Sequence, residues 1–171
     1  MNELEDSWRT YWLEHDIYRY DPSRGRDKTF VVDTPPPTVS GSLHIGHCFS
    51  YTHTDLVVRY RRMRGDNIFY PMGWDDNGLP TERRVQNVFN VRCNPSLLYE
   101  GEDVHFSRGR DGDPVPISRR KFTELCDEGV QEDERAFKEL FQRLALSCDW
   151  NETYATIDRR SRFVSQLSFL H

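Results

Sequence analysis

The 171-residue sequence predicts an α/β fold, a parallel sheet with flanking helices preceded by an amphipathic helix. Three observations carry that expectation. Thr29–Asp33 (T-F-V-V-D) is a β-branched and aromatic run long enough for one buried strand. From Leu43 to Arg64, apolar residues recur at steps of three, four and seven, the period of a helix. Asn67–Met72 (N-I-F-Y-P-M) is a second short apolar run. Strand, helix and strand in succession make a βαβ unit, whose strands lie parallel with a right-handed crossover. In such sheets ligands collect at the carboxyl ends of the strands.

Each element has a local reason. Residues 2–16 place Leu4, Trp8, Tyr11, Trp12 and His15 at helical spacing, which predicts a helix packing an aromatic stripe on a core. Residues 19–28 are turn-formers and charges, a surface connection. Pro35, Pro36 and Pro37 stop the first strand, because proline cannot donate to a ladder. Ser40, Gly41 and Ser42 offer capping side chains and conformational freedom before the long helix. On that helix Ile45, Phe49, Leu56, Tyr60 and Met63 form the expected core face, and His44, His47, Tyr51 and Asp55 a separate one. Arg59, Arg61, Arg62 and Arg64 suit its carboxyl end, and Gly65 a stop.

After the second strand, Gly73-Trp74-Asp75-Asp76-Asn77-Gly78 is an acceptor-rich loop on the same sheet edge as the proline turn. Pro80 opens a helix over about Thr81–Val91. Residues 92–117 predict a long irregular insertion, rich in proline, glycine and charge. Ser118–Cys126 and Gln131–Leu146 predict two structural helices, the second with Ala136, Phe137, Leu140, Phe141 and Leu144 on one face, and Cys148–Trp150 and Tyr154–Ile157 predict irregular or extended chain. Asp158 caps a last helix with Phe163, Val164, Leu167 and Leu170 on one stripe, and that helix is expected to be cut short at His171.

The charge and composition narrow the function. With 30 % charged and 36 % hydrophobic residues, the chain suits a globular domain with a substantial core. A net charge of −5 argues against a general nucleic-acid binder, though not against local binding of one RNA or nucleotide. Cys48, Cys93, Cys126 and Cys148 are widely spaced, which points to reduced thiols rather than a disulfide frame or a zinc site. The acidic start M-N-E-L-E-D-S-W lacks the apolar core of a signal peptide, and no apolar run approaches the roughly 20 residues that cross a membrane. A cytoplasmic protein with no membrane partner is the expectation.

Two histidines at i and i+3 at a helix start sit beside free N–H groups and the positive end of the helix dipole, a ready anion site. Imidazole adds directional donors for phosphate oxygens, and Gly46 between them allows close approach. By pattern alone, satisfied surface histidines are an equally good reading. A metal on His44, His47 and His53 ranks low, since no H-E-x-x-H and no carboxylate in the same turn complete a ligand set. The Asp75–Gly78 loop lacks the alternating acids of a calcium loop.

Taken together, these stretches are less ambiguous. P-P-P-T-V-S-G-S-L-H-I-G-H resembles the first signature of the class I aminoacyl-tRNA synthetases, including its H-I-G-H tetrad at His44–His47. G-W-D-D-N-G-L-P-T-E at Gly73–Glu82 is similar to the second block of their valine, isoleucine and leucine group, and D-N-G-L-P-T-E looks most like the valine-specific branch. P-I-S-R-R-K-F, L-S-C-D-W and S-R-F-V-S-Q-L-S-F-L extend the resemblance over essentially the whole chain.

The resemblance implies the N-terminal half of a Rossmann-like (HUP-type) catalytic domain over residues 29–157, after an N-terminal helix and connection (1–28). Residues 158–171 would be a truncated helix leading toward an editing insertion. It implies a ligase that activates valine with ATP, carrying Mg²⁺, and passes it to tRNA-Val. His44 and His47 would be the catalytic pair. ATP would meet Thr34, Pro35, His44, Ile45, Gly46 and His47. The amino acid would meet Pro36, Pro37, Thr38, Trp74, Asp75 and Asn77, with Asp75 on the substrate ammonium. The family's lysine-rich K-M-S-K-S loop is absent from these residues, so the chain is expected to be a fragment unable to finish the reaction alone. Alternatives are a non-catalytic paralogue, or a split-enzyme subunit with a complementing C-terminal chain. An isoleucine-type member and a small nucleotidyltransferase unrelated to tRNA rank lower.

Overall fold

The computed structural model describes residues 2–40, 43–109 and 111–171. Gly41 and Ser42, two of the expected capping residues, lie outside the described residues. The elements in order are α1 (Asn2–Glu14), β1 (Thr29–Val31), α2 (Ile45–Met63), β2 (Asn67–Phe69), β3 (Pro71–Trp74), α3 (Leu79–Phe89), β4 (Val91–Cys93), β5 (Val115–Ile117), α4 (Arg119–Arg143), β6 (Asp149–Ala155) and α5 (Arg159–Leu170). Two units are distinguished. One comprises Met1–Pro37, Leu43–Asp75 and Phe137–His171, the other Thr38–Ser42 and Asp76–Ala136.

In the first unit β1 pairs in parallel with β2, Thr29 opposite Asn67 and Val31 opposite Phe69, as the βαβ reading requires. The second predicted strand is longer than expected and divides at Tyr70. Its first half serves β1, and its second half, β3, pairs in parallel with β6. Val32 N–H donates to the Phe69 carbonyl at 2.9 Å and Asp149 N–H to the Tyr70 carbonyl at 3.0 Å, so the ladder is carried past the division. Gly73 is required here. It stands opposite Tyr154, and a Cβ on it would collide with the Tyr154 ring.

Helix α2 corrects the sequence reading. Ile45, Phe49, Leu56, Tyr60 and Met63, the expected core face, are 52–80 % exposed. The buried positions are Tyr51, Asp55 and Val58, on the face assigned to the histidines. Polar partners far along the chain decide this. Asp55 Oδ1 accepts from Ser147 N–H at 2.8 Å and Ser147 Oγ at 2.5 Å. Its Oδ2 takes Arg59 Nε at 2.7 Å. Arg59 also reaches the Ala145 carbonyl, and Arg62 donates to the Ser147 carbonyl at 3.1 Å. Both guanidinium groups lie over the Tyr18 ring. A buried carboxylate satisfied this way cannot turn to solvent without losing every bond.

The aromatic stripe of α1 is a second correction, since Leu4, Trp8 and Tyr11 are 45–64 % exposed rather than packed on a core. Its rings pair mainly with one another, Tyr11 on His15 at 4.0 Å and Trp8 on Trp12 at 6.3 Å. On α5, Asp158 caps as predicted, accepting from Ser161 N–H at 2.6 Å, and the apolar stripe is exposed.

The second unit holds its own core of Val85, Phe89, Val91, Ile117, Phe122 and Leu125. The stretch read as an irregular insertion contains the parallel pair β4 and β5, with Val91 opposite Val115. Glu100 pins the start of α4, accepting from Ser118 N–H at 2.7 Å and Ser118 Oγ at 2.5 Å. The two helices predicted over 118–146 are one, α4. Gly129 lies between the two predicted helices and runs helically, and the place of its missing side chain faces Val85 at 3.5 Å. The four cysteines are all free.

Candidate functional site

The first unit brings the proline turn, the start of α2 and the end of β3 together through hydrogen bonds to the proline carbonyls. Tyr51, one turn beyond His47, donates from its hydroxyl to the Pro35 carbonyl at 2.7 Å. Asp75 N–H donates to the Pro37 carbonyl at 2.9 Å. Prolines cannot form a ladder, yet their carbonyls remain acceptors, and these two hydrogen bonds hold the turn in place. Trp74 is buried beside it, its carbonyl taking Thr156 N–H at 2.9 Å.

The two histidines cap each other. His44 is the N-cap of α2 in extended conformation, and its Nδ1 accepts from Gly46 N–H at 3.1 Å. The His44 N–H donates to Nδ1 of His47 at 3.3 Å. This is a capping box built from imidazoles in place of the usual hydroxyl and carboxamide or carboxylate. Because both Nδ1 atoms accept, both neutral rings carry their proton on Nε2. The ring donors at the helix start are therefore two Nε2–H groups, beside the positive end of the helix dipole. The rings lie 4.0 Å apart.

His44 is exposed and His47 half-buried. Burial, and then the neighbouring His44, push the His47 pKa below its ordinary value. That favours the neutral ring the cap needs, since a protonated imidazole has no acceptor. Gly46 serves the same cap, because a Cβ there would sit 2.9 Å from Nδ1 and Cε1 of His44.

Of the predicted site residues, Thr34, Pro35, Pro36, Pro37, His44, Ile45, Gly46, His47, Trp74 and Asp75 belong to this unit, and Thr38 and Asn77 to the other. Ile45 is 73 % exposed, so it forms no part of a buried wall. Sequence reading missed the supports. By spacing alone Tyr51 falls on the histidine face with no assigned role, and Phe137 and Phe141 share an apolar face of a structural helix. Among the described residues no group of three His, Cys, Asp or Glu could hold a metal ion. A cleft of about 640 Å³ between α1 and the last turns of α4, lined by Trp8, Trp12, Glu139 and Arg143 among others, contains none of the predicted site residues.

A parallel α/β unit with an H-I-G-H helix start tied to a Gly-Trp-Asp loop is the arrangement that the sequence resemblance anticipates. The family model for the class I tRNA synthetases (I, L, M and V) matches residues 7–167, and the chain belongs to that family. Within it, 99 % of the chain is 56 % identical to the valine--tRNA ligase of Thermobifida fusca, 55 % to that of Salinispora arenicola and 53 % to that of Bifidobacterium longum NCC 2705. The chain spans about a fifth of the length of these relatives, 19–20 %. Among solved structures it is similar to the LeuRS in the ternary complex of Agrobacterium radiobacter K84 agnB2 LeuRS-tRNA-LeuAMS. That match has a TM-score of 0.69 and 26 % identity, and covers 97 % of this chain and 17 % of that one. The Rossmann-like α/β fold class expected from the sequence agrees with this neighbour. No described helix is long and apolar enough to cross a membrane.

Proposed function

We propose that this chain supplies the ATP- and valine-binding half of the adenylation site of a cytoplasmic valine–tRNA ligase. The observation that carries the reading is the pair of Nε2–H donors fixed at the α2 N-terminus by the reciprocal histidine cap. His44 and His47 donate to the phosphates of ATP, and Thr34, Pro35 and Gly46 border the nucleotide. ATP would carry Mg²⁺, which would neutralise part of the phosphate charge. Asp75 pairs with the valine ammonium, while Pro36, Pro37 and Trp74 wall the side chain.

The valine carboxylate attacks the α-phosphorus in line, an oxygen–phosphorus bond forms, and pyrophosphate leaves. A hydroxyl of tRNA-Val then attacks the valyl carbonyl, an ester bond forms and AMP leaves. The protein contributes position and charge stabilisation, and no covalent nucleophile is needed. Residues 29–157 are the first part of the catalytic domain, after the helix and connection of 1–28, and 158–171 lead toward an editing insertion. Because no K-M-S-K-S loop occurs in these 171 residues, the chain by itself does not complete activation.

The test replaces the matching fifth of the Thermobifida fusca ligase with this chain and measures valine-dependent ATP–pyrophosphate exchange. Exchange should appear in the chimaera and fall about 10²–10³-fold in His47→Ala, the scale of removing one donor to a developing anion. Unchanged exchange in that variant would overturn the reading. So would His47-dependent exchange by the 171-residue chain alone, for the claim that it is insufficient.

A further inference from the structure

A continuous aromatic run in the first unit starts at the second histidine and ends at the tryptophan before Asp75. Phe137 meets the His47 imidazole edge-on, with centroids 5.9 Å apart and planes at 67°. Phe137 and Phe141, one turn apart on α4, meet at 6.3 Å and 80°. Phe141 then lies parallel to the Trp74 indole, 6.4 Å away at 10°. It also receives Tyr51 at 4.8 Å. Phe137 and Phe141 are 2 % and 0 % exposed, so neither can move without opening a cavity. Edge-on and offset pairs fix ring orientation as well as burying area.

We propose that Phe137 and Phe141 are positioning residues of the site, their rings holding the His47 imidazole and the Trp74 indole in one aromatic stack. The inference rests on the reading of the site given above. The His44 N–H bond fixes one edge of the His47 ring. Phe137 blocks the half-turn that would exchange Nδ1 for Nε2 and remove the phosphate-side donor. Phe141 fixes the indole plane on the amino-acid side and braces Tyr51, which holds Pro35. One turn of α4 thus sets both halves of the pocket. In the sequence it looks like ordinary core spacing.

NMR of the 171-residue chain tests this with Phe137→Leu, Phe141→Leu and Phe137→Tyr, leucine being chosen because it preserves most of the buried volume. Phe137→Leu should abolish the ring-current displacement of the His47 ring protons. It should also raise the His47 titration midpoint toward that of an exposed imidazole, leaving His15, His53, His105 and His171 unmoved. Phe141→Leu should shift the Trp74 indole signal, and Phe137→Tyr should restore the wild-type His47 midpoint. Leucine variants with dispersed spectra and unmoved His47 and Trp74 signals would overturn the proposal, as would equal shifts at every histidine. If a leucine variant does not fold, contacts between the His47 and Phe137 ring protons in the wild type decide, and their absence overturns it. ATP added to the wild type separates the two readings. If it leaves His44 and His47 unmoved, the phosphate-site reading fails, while the stack is judged on the spectra without ligand.

Discussion

The Tyr51 hydroxyl lies 2.7 Å from the Pro35 carbonyl and is the donor that fixes the proline turn to α2. Tyr51 is 6 % exposed, so the bond is shielded from water. Tyr51→Phe keeps the ring and its contact with Phe141 and removes only the donor. The loss should be about 1–3 kcal/mol, the cost of leaving a buried acceptor unpaired. A lower urea midpoint with unchanged slope checks it, and an unchanged midpoint refutes it.

Asp55 is the second anchor of α2, with its oxygens shared between Ser147 and Arg59. Asp55→Ala leaves the Arg59 guanidinium without its carboxylate and Ser147 without its acceptor. Removing one partner of a fully buried pair costs about 3–5 kcal/mol, and because the Arg59 side chain is 37 % exposed the expectation is about 2–4. Asp55→Asn keeps one acceptor oxygen and should lose less. Chemical denaturation of both variants orders them, and the reverse order would contradict the network.

His47 ties the cap to pH. Its folded-state pKa lies below the ordinary 6.5, so the unfolded chain binds more protons as pH falls through that window. The contribution is fully present above about pH 6.5 and is lost as pH drops toward the folded-state value. Thermal melts in closely spaced buffers should therefore show a decline below pH 6.5 that His47→Gln removes. A decline of the same size in the variant would assign it to other groups.

Gly73 and Tyr154 test the β3–β6 register. Gly73→Ala drives a methyl into the Tyr154 ring and should cost about 1–3 kcal/mol by overpacking. Tyr154→Ala should relieve most of it, so the double variant falls well short of the sum of the two single losses. Additive losses would mean that the two residues are not opposed.

Much of this was legible because it is local. The T-F-V-V run before three prolines states where β1 ends, and H-I-G-H sits where the dipole and the free N–H groups of α2 require polar caps. Asp158 announces α5 for the same reason. The two helices predicted over 118–146 are one, and Gly129 between them, a weak helix former, is accommodated by packing beside Val85. β4 and β5 were missed because three-residue strands surrounded by proline, glycine and charge carry no periodicity, and their pairing joins residues 24 positions apart, Val91 to Val115.

The sequence by itself determined the α/β class, the βαβ unit around Thr29–Trp74, the family and the pair of histidines at the start of α2. Those features depend on period, propensity and residues a few positions apart. Only the tertiary structure decided which face of α2 is buried. Periodicity sees that Ile45, Phe49 and Met63 share a stripe, but not that Asp55 has Ser147 to bind and Tyr51 has Pro35. The same holds for the imidazole tautomers, set by two backbone N–H groups, and for Phe137 and Phe141, whose apolar spacing gives no sign that they touch His47 and Trp74. Burial of a polar group depends on whether a partner waits at the right distance, and that partner can stand 92 residues away, as Ser147 does from Asp55.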